Sequence, residues 1–251
     1  MAIAIITGAS SGMGREFVRQ IANDNELDEI WVLARRVDRL AELQLQHEIS
    51  KKLIIKGVDF NKRADMVMFS EELKVASPEV KLLINCAGLG YIGEFDKLSA
   101  NDNVEMIDVN CTALTYMTHI VLPFIIDGGR IINLASSAAY LPQPKFAVYA
   151  ATKSYVLSLS RALGRELRKR NIKVTAVCPG PVKTEFFDLA ERKFKGASYK
   201  EKFMVSADKV VKSALKASKK GKAVVTYSFS MKFFRLICKV LPKKWLLGFV
   251  K

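Results

Sequence analysis

Tyr149 and Lys153 stand four residues apart in Tyr149-Ala150-Ala151-Thr152-Lys153. On a helix that spacing stacks both side chains on one face. A phenol beside an ammonium is a device for moving a proton. The positive charge favours phenolate and so draws the phenol down from its reference pKa of about 10. A tyrosine tuned in that direction gives a proton to a carbonyl oxygen, or takes one from an alcohol. Ser136 supplies a hydroxyl of matching use, at the end of Gly129-Arg130-Ile131-Ile132-Asn133-Leu134-Ala135-Ser136.

The elements that would position these groups are legible. The apolar, β-branched run before Ser136 reads as a buried strand of a parallel sheet. Sites in open α/β sheets form beyond the carboxyl ends of the strands, which is where Ser136 falls. At the start of the chain, Ala2-Ile3-Ala4-Ile5-Ile6 runs into Thr7-Gly8-Ala9-Ser10-Ser11-Gly12-Met13-Gly14. Helical periodicity follows from Arg15 to Ala22. Strand, glycine turn and helix together form a dinucleotide-binding context. Glycines allow backbone N–H groups to approach a pyrophosphate at the helix N-terminus. Gly8, Ser10, Ser11, Gly12, Met13 and Gly14 are the candidate contacts there.

These residues resemble the short-chain dehydrogenase/reductase family. The glycine spacing is Thr-Gly-x-x-x-Gly-x-Gly, that family's form. Asn85-Cys86-Ala87-Gly88 is similar to its Asn-Asn-Ala-Gly element, with cysteine in place of the second asparagine. Asn110 follows Asp108-Val109 as the family's helix asparagine does, and Pro179-Gly180-Pro181-Val182-Lys183-Thr184 resembles its Pro-Gly-x-x-x-Thr segment. The likeness spans roughly residues 2–225. It implies a catalytic set of Asn110, Ser136, Tyr149 and Lys153. It also implies cofactor contacts from Asn85, Ala87, Gly88, Tyr149, Lys153, Pro179, Val182 and Thr184. Asp59 would accept from the adenine amine. Lys153 would bind nicotinamide ribose, and Asn110 would hold a kinked helix and support a proton relay. Substrate contacts would come from Ser136, Tyr91, Tyr140, Phe146 and Phe186, and a segment near 183–205 would form a lid.

Cofactor choice follows from charge. The expected second strand, Glu29-Ile30-Trp31-Val32-Leu33-Ala34, ends in Arg35-Arg36, with no acid until Asp38. A carboxylate there would bind the ribose 2′-hydroxyl of NAD and repel a 2′-phosphate. Guanidinium suits a phosphate by geometry and charge, so NADP(H) is the expected cofactor. The plainer reading is that both arginines open a helix, where a cation is poorly placed against the dipole. Other candidates also have plain readings. Ser136 and Ser137 both suit a turn, and the spacing to Tyr149 selects Ser136. Asn110 suits a satisfied buried amide, and Asp59 an Asx turn. His47 and His119 have no partner at catalytic spacing and read as structural.

The 251 residues, half of them hydrophobic, fit one α/β domain. Strands are expected near 2–7, 29–34, 52–57, 81–86, 129–136, 172–178 and 222–226. Helices are expected near 12–24, 38–48, 62–75, 99–125, 147–170 and 206–219. This alternation implies a single-domain, doubly wound parallel sheet of Rossmann type over residues 1–226, followed by an amphipathic extension over 227–251. The four cysteines, Cys86, Cys111, Cys178 and Cys238, lack metal or redox spacing and read as buried, reduced thiols. No signal-peptide pattern and no spanning run of about 20 apolar residues is seen, so a cytoplasmic protein is expected.

The net charge of +15 is unevenly spread: residues 191–251 hold 17 basic and 3 acidic side chains. Apolar residues at 229, 233, 236, 237, 240 and 241 suit one helical face, and Pro242 would end that helix. Two readings stay open. One is an interfacial membrane helix, basic and aromatic. The other is a tail packed over the substrate pocket or across a subunit interface. No nucleic-acid motif accompanies the charge. The expected protein is an NADP(H)-dependent enzyme interconverting a ketone or aldehyde and an alcohol. Its substrate is expected to be hydrophobic, steroid-like or an acyl chain, and the enzyme a homo-dimer or homo-tetramer. The rival function is a non-catalytic NADP(H)-binding regulator, though a sensor has no need of a proton donor.

Overall fold

The computed structural model of the protein describes residues 1–45, 53–190 and 204–248. Strands β1 (Ala2–Thr7), β2 (Glu29–Ala34), β3 (Leu53–Gly57), β4 (Glu79–Asn85), β5 (Ile125–Leu134), β6 (Lys173–Val177) and β7 (Val224–Val225) form one sheet in the order β3-β2-β1-β4-β5-β6-β7. Every pairing is parallel. The helices between them are α1 (Gly12–Ile21), α2 (Val37–Gln44), α3 (Arg63–Ala76), α4 (Ala100–Ile107), α5 (Leu114–Val121), α6 (Ala147–Glu166), α7 (Glu185–Ala190) and α8 (Ala207–Lys219). Helices α9 (Phe229–Val240) and α10 (Lys243–Leu247) follow β7. The expected doubly wound architecture is what forms.

Alternation along the strands explains the two layers of core. Side chains of a strand point to opposite faces at period two. Ile3 and Ile5 of β1 join Met66, Phe69 and Leu73 of α3 and Met117 of α5 on one face. Ala4 and Ile6 join Phe17 and Ile21 of α1 and Val210 and Ala214 of α8 on the other. Both faces of the sheet are therefore buried, and the strands read as continuous apolar runs. Winding reverses between β1 and β4, which opens a crevice at their carboxyl ends.

One expected helix, 99–125, is not a single α-helix. Between α4 and α5 the residues Asp108–Ala113 form a π-helical turn, and Leu122–Phe124 a 3₁₀ turn. π-Bulges are rare and gather at functional sites. This one carries Asn110. β5 starts four residues earlier than expected, at Ile125, because Val80 of β4 pairs with Ile125 before the register shifts. His47, the end of the expected helix 38–48 and residues 191–203 of the expected lid lie outside the described residues.

Candidate active site

A cavity of about 1020 Å³ lies over the carboxyl ends of the central strands. That is the upper end of the range for ligand pockets. Its floor at one end is the turn between β1 and α1. Gly8 and Gly12 hold φ of +68° and +53° there, conformations that strain a side chain. A Cβ on Gly14 would sit 2.1 Å from the Gly8 carbonyl oxygen, so only glycine lets α1 start this close to β1. Thr7 Oγ1 accepts from the Cys86 and Ala87 N–H groups, both at 3.1 Å, and ties the two strand ends at the switch point.

The candidate catalytic groups converge at the other end. α6 carries Tyr149 and Lys153 one turn apart, and β5 delivers Ser136; all three line the cavity. The Ser136 hydroxyl is hydrogen-bonded to the Tyr149 phenol and draws its pKa down. Ser136 Oγ also accepts from the Ala138 N–H at 3.1 Å, which holds its rotamer. Phe146 stacks on the Tyr149 ring at 4.1 Å, and Phe186 tilts against it at 5.4 Å. Lys153 Nζ donates to the Leu134 carbonyl at 2.8 Å and stands 5.6 Å from the centre of the Tyr149 ring.

The electrostatics differ from the expectation that Lys153 sets the phenol. Burial pushes Tyr149 up to about 12, and the hydrogen bond from Ser136 opposes it. Burial also drives Lys153 down to about 8. Desolvation penalises the charged form of each group and is the largest cause of both shifts. Tyr149 is therefore a neutral phenol near pH 7.

Asn110 does not face the cavity. Fully buried, it accepts from the Leu89 N–H at 2.9 Å and donates to the Leu89 carbonyl at 2.8 Å and to Thr152 Oγ1 at 3.0 Å. It clamps the loop after β4 to α6. A Cβ on Gly88 would meet Asn110 Oδ1 at 3.0 Å and Lys153 Nζ at 3.2 Å, so this loop runs tightly between the two.

Ser10, Ser11, Met13, Arg35, Arg36, Asp59, Ala87, Gly88, Pro179, Val182 and Thr184 join Gly8, Gly12 and Gly14 in the cavity wall. Asp59 Oδ1 also accepts from the Asn61 N–H at 3.1 Å, the Asx turn foreseen as its plainer role. Besides Asn110, three sequence candidates are placed elsewhere. Asn85 is absent from the wall. It donates to Thr118 Oγ1 and to Asn133 Oδ1, each at 2.9 Å, and locks β4 to β5 and α5. The Tyr91 hydroxyl donates to Glu105 Oε2 at 2.7 Å, outside the wall. Tyr140 bonds Thr226 Oγ1 at 2.7 Å and lies beneath α9, and Phe234 of α9 lines the cavity in its stead.

Sequence reasoning missed Gly90, Glu185, Met231 and Phe234. A Cβ on Gly90 would press to 2.7 Å from Tyr149 Cδ2, so glycine is what leaves room for the ring. Glu185, the first residue of α7, forms ion pairs with Arg36 and Arg39. Arg36 also donates to Ser11 Oγ at 2.8 Å. The carboxylate of Glu185 is held well below its usual range by Arg39 and Arg36. This end of the cavity thus already holds an anion, supplied by the chain itself. The Phe-Glu-rich context of residues 185–187 gave no motif to find Glu185 by.

A family model for short chain dehydrogenases matches residues 2–193. The chain belongs to this family. Its relatives include a sulfoacetaldehyde reductase of Chromohalobacter salexigens, 36% identical over 73% of this chain and 74% of that one. An NADP-dependent 3-hydroxy acid dehydrogenase of Escherichia coli K12 is 34% identical over 77% of each chain. Among solved structures, a short-chain dehydrogenase from Sphingobium yanoikuyae in complex with NADPH superposes with a TM-score of 0.80. It is 26% identical and covers 100% of this chain and 97% of its own. The short-chain dehydrogenase is accordingly an oxidoreductase acting on small molecules. The rival reading of a non-catalytic regulator finds no support among these relatives.

Proposed function

We propose that this short-chain dehydrogenase is an NADP(H)-dependent carbonyl reductase or alcohol dehydrogenase for a hydrophobic substrate, steroid-like or carrying an acyl chain. The observation that carries the reading is a single cavity with Tyr149, Ser136 and Lys153 at one end and Arg35 and Arg36 at the other. The glycine turn leaves room for a dinucleotide, and Arg35 and Arg36 in the same cavity wall, Arg36 already paired with a carboxylate, support a 2′-phosphate there. Two named relatives, one NADP-dependent and one solved with NADPH, favour the same cofactor. The apolar wall, with Phe146, Phe186, Met231, Phe234 and Leu141, favours an apolar substrate.

Bound NADPH supplies the hydride. The protein supplies orientation and the proton. Ser136 donates a hydrogen bond to the carbonyl oxygen and sets it beside the Tyr149 phenol. Tyr149 gives its proton to that oxygen as negative charge builds on it. Lys153 holds the positive charge that steadies the resulting phenolate, and Asn110 keeps the loop and α6 in register. Phe146 and Phe186 enclose the phenol and exclude water, which strengthens each of these interactions.

A panel of hydrophobic ketones incubated with NADPH, followed by loss of its absorbance, tests the reading. Turnover of at least one, with NADPH preferred to NADH, is the expected result; oxidation with none of a broad panel would sink it. Lys153 is charged below pH of about 8 and neutral above it. kcat/KM for NADPH reports groups of the free enzyme, so it is expected to fall as pH rises through about 8. Lys153→Arg, whose guanidinium stays charged, is expected to lose that limb. A wild-type profile flat across the region would contradict the role given to Lys153.

The proposed enzyme is a homo-oligomer. Val104 and Ile107 on α4 and Tyr155 on α6 are exposed together with the Thr115–Tyr155 hydroxyl pair, which favours a partner copy there. The four cysteines are free thiols, three of them (Cys86, Cys111 and Cys178) near Lys153, in keeping with work in the reducing cytoplasm.

A further inference from the structure

Helix α9 is apolar on two opposite faces, and the fold uses one of them. Met231 and Phe234 turn toward the body and wall the cavity. Gly180 lies so close beneath Met231 that a Cβ there would meet its sulfur at 2.7 Å. Arg235 places its guanidinium 5.9 Å from the Tyr140 ring centre. Ser228, at φ of +72°, turns the chain out of β7 and accepts from the Met231 N–H to start the helix.

The opposite face is bare. Phe229, Phe233, Leu236 and Val240 are 84%, 55%, 56% and 69% exposed. Their spacing of four, three and four residues makes one continuous stripe along the helix. Leu241 and the exposed Trp245 of α10 extend it. Lys232 and Lys239 form a basic row beside the stripe, and Lys244 follows on α10. No acidic residue occurs after Asp208.

We propose that this stripe docks the protein onto an anionic lipid surface, with α9 lying in the plane of the interface. An apolar stripe edged by lysine and carrying Phe and Trp is the pattern such helices require. Twelve residues span about 18 Å, short of the roughly 30 Å hydrocarbon layer, so α9 lies on the bilayer. Among the described residues no helix is long and apolar enough to cross a membrane. Charge argues against a second copy as occupant. Pairing two such stripes would bring two basic rows together with no carboxylate on either helix to offset them. The excess positive charge of the whole chain, concentrated in this quarter, is complementary to anionic headgroups. The reverse face of the docked helix walls the cavity, so docking sets the cavity beside the bilayer. The inference does not depend on the reaction proposed above.

Flotation of the full-length protein with phosphatidylcholine vesicles, with and without phosphatidylglycerol, tests it. Wild type is expected to float with the anionic vesicles at low salt and to be released as salt rises. Lys232→Gln with Lys239→Gln is expected to weaken binding roughly fivefold per charge removed. Phe233→Ser with Leu236→Ser is expected to abolish flotation while thermal unfolding and NADPH binding stay as in wild type. Absence of flotation at low salt, or flotation unchanged by the Phe233/Leu236 pair, would overturn the proposal. So would a shift of that variant to a smaller oligomer in sedimentation without any wild-type flotation, which would assign the stripe to a second copy.

Discussion

Tyr149→Phe is expected to lower kcat for ketone reduction by about 10²–10⁴-fold, the usual contribution of a positioned general acid. The substitution removes one oxygen from a ring held between Phe146 and Phe186, so packing is conserved. NADPH affinity is expected to stay within about twofold, because the glycine turn and Arg35 and Arg36 are untouched. The neutral phenol is the working form for reduction, and burial keeps it neutral to a pKa of about 12. Loss of proton donation, rather than altered titration, is therefore what the variant reads. Single-turnover kinetics with saturating NADPH separate the two steps. Residual reduction near the wild-type rate would mean that water or Ser136 delivers the proton, and the mechanism would fall.

Arg35→Ala is expected to weaken NADPH by about 10–100-fold and leave NADH nearly unchanged. A hydrogen bond to a charged group contributes about 1.5–3 kcal/mol, and about 1.4 kcal/mol is tenfold in affinity. Arg36→Ala tests the same partner less cleanly, because Arg36 also holds Ser11 and Glu185. Glu185→Gln is the complement. Its carboxylate competes with a 2′-phosphate for Arg36, so its neutralisation is expected to tighten NADPH several-fold and leave NADH alone. Calorimetric titration of the variants with both cofactors decides. Equal losses for the two cofactors in Arg35→Ala would remove the argument from charge.

Much of the fold was legible in local pattern. The continuous apolar run of Ala2–Thr7 and the 3.6-residue period of Gly12–Ile21 are properties of short windows, and the alternation of such windows implies a parallel sheet. The Tyr149–Lys153 pair was readable for the same reason, since one helical turn fixes their relation. The glycine turn was readable because positive φ and close backbone approach select glycine at positions the sequence shows directly.

Tertiary structure decided what depends on contacts between distant segments. Asn85 carries the family's motif, yet its amide NH2 is spent on Thr118 and Asn133, 33 and 48 residues away. The family resemblance implies a substrate contact from Tyr140, but α9, folding back from residue 229, covers it and brings Met231 and Phe234 to the cavity. Glu185 reaches Arg36 across 149 residues, a pairing no spacing announces. The balance at Tyr149 and Lys153 was likewise invisible. Their spacing is local and legible, whereas the desolvation that shifts both is the work of the whole surrounding core. The tail shows the division most plainly. Sequence periodicity marked residues 229–241 as apolar and basic. Only the fold separates that set into a face spent on the cavity wall and a face left to meet something else.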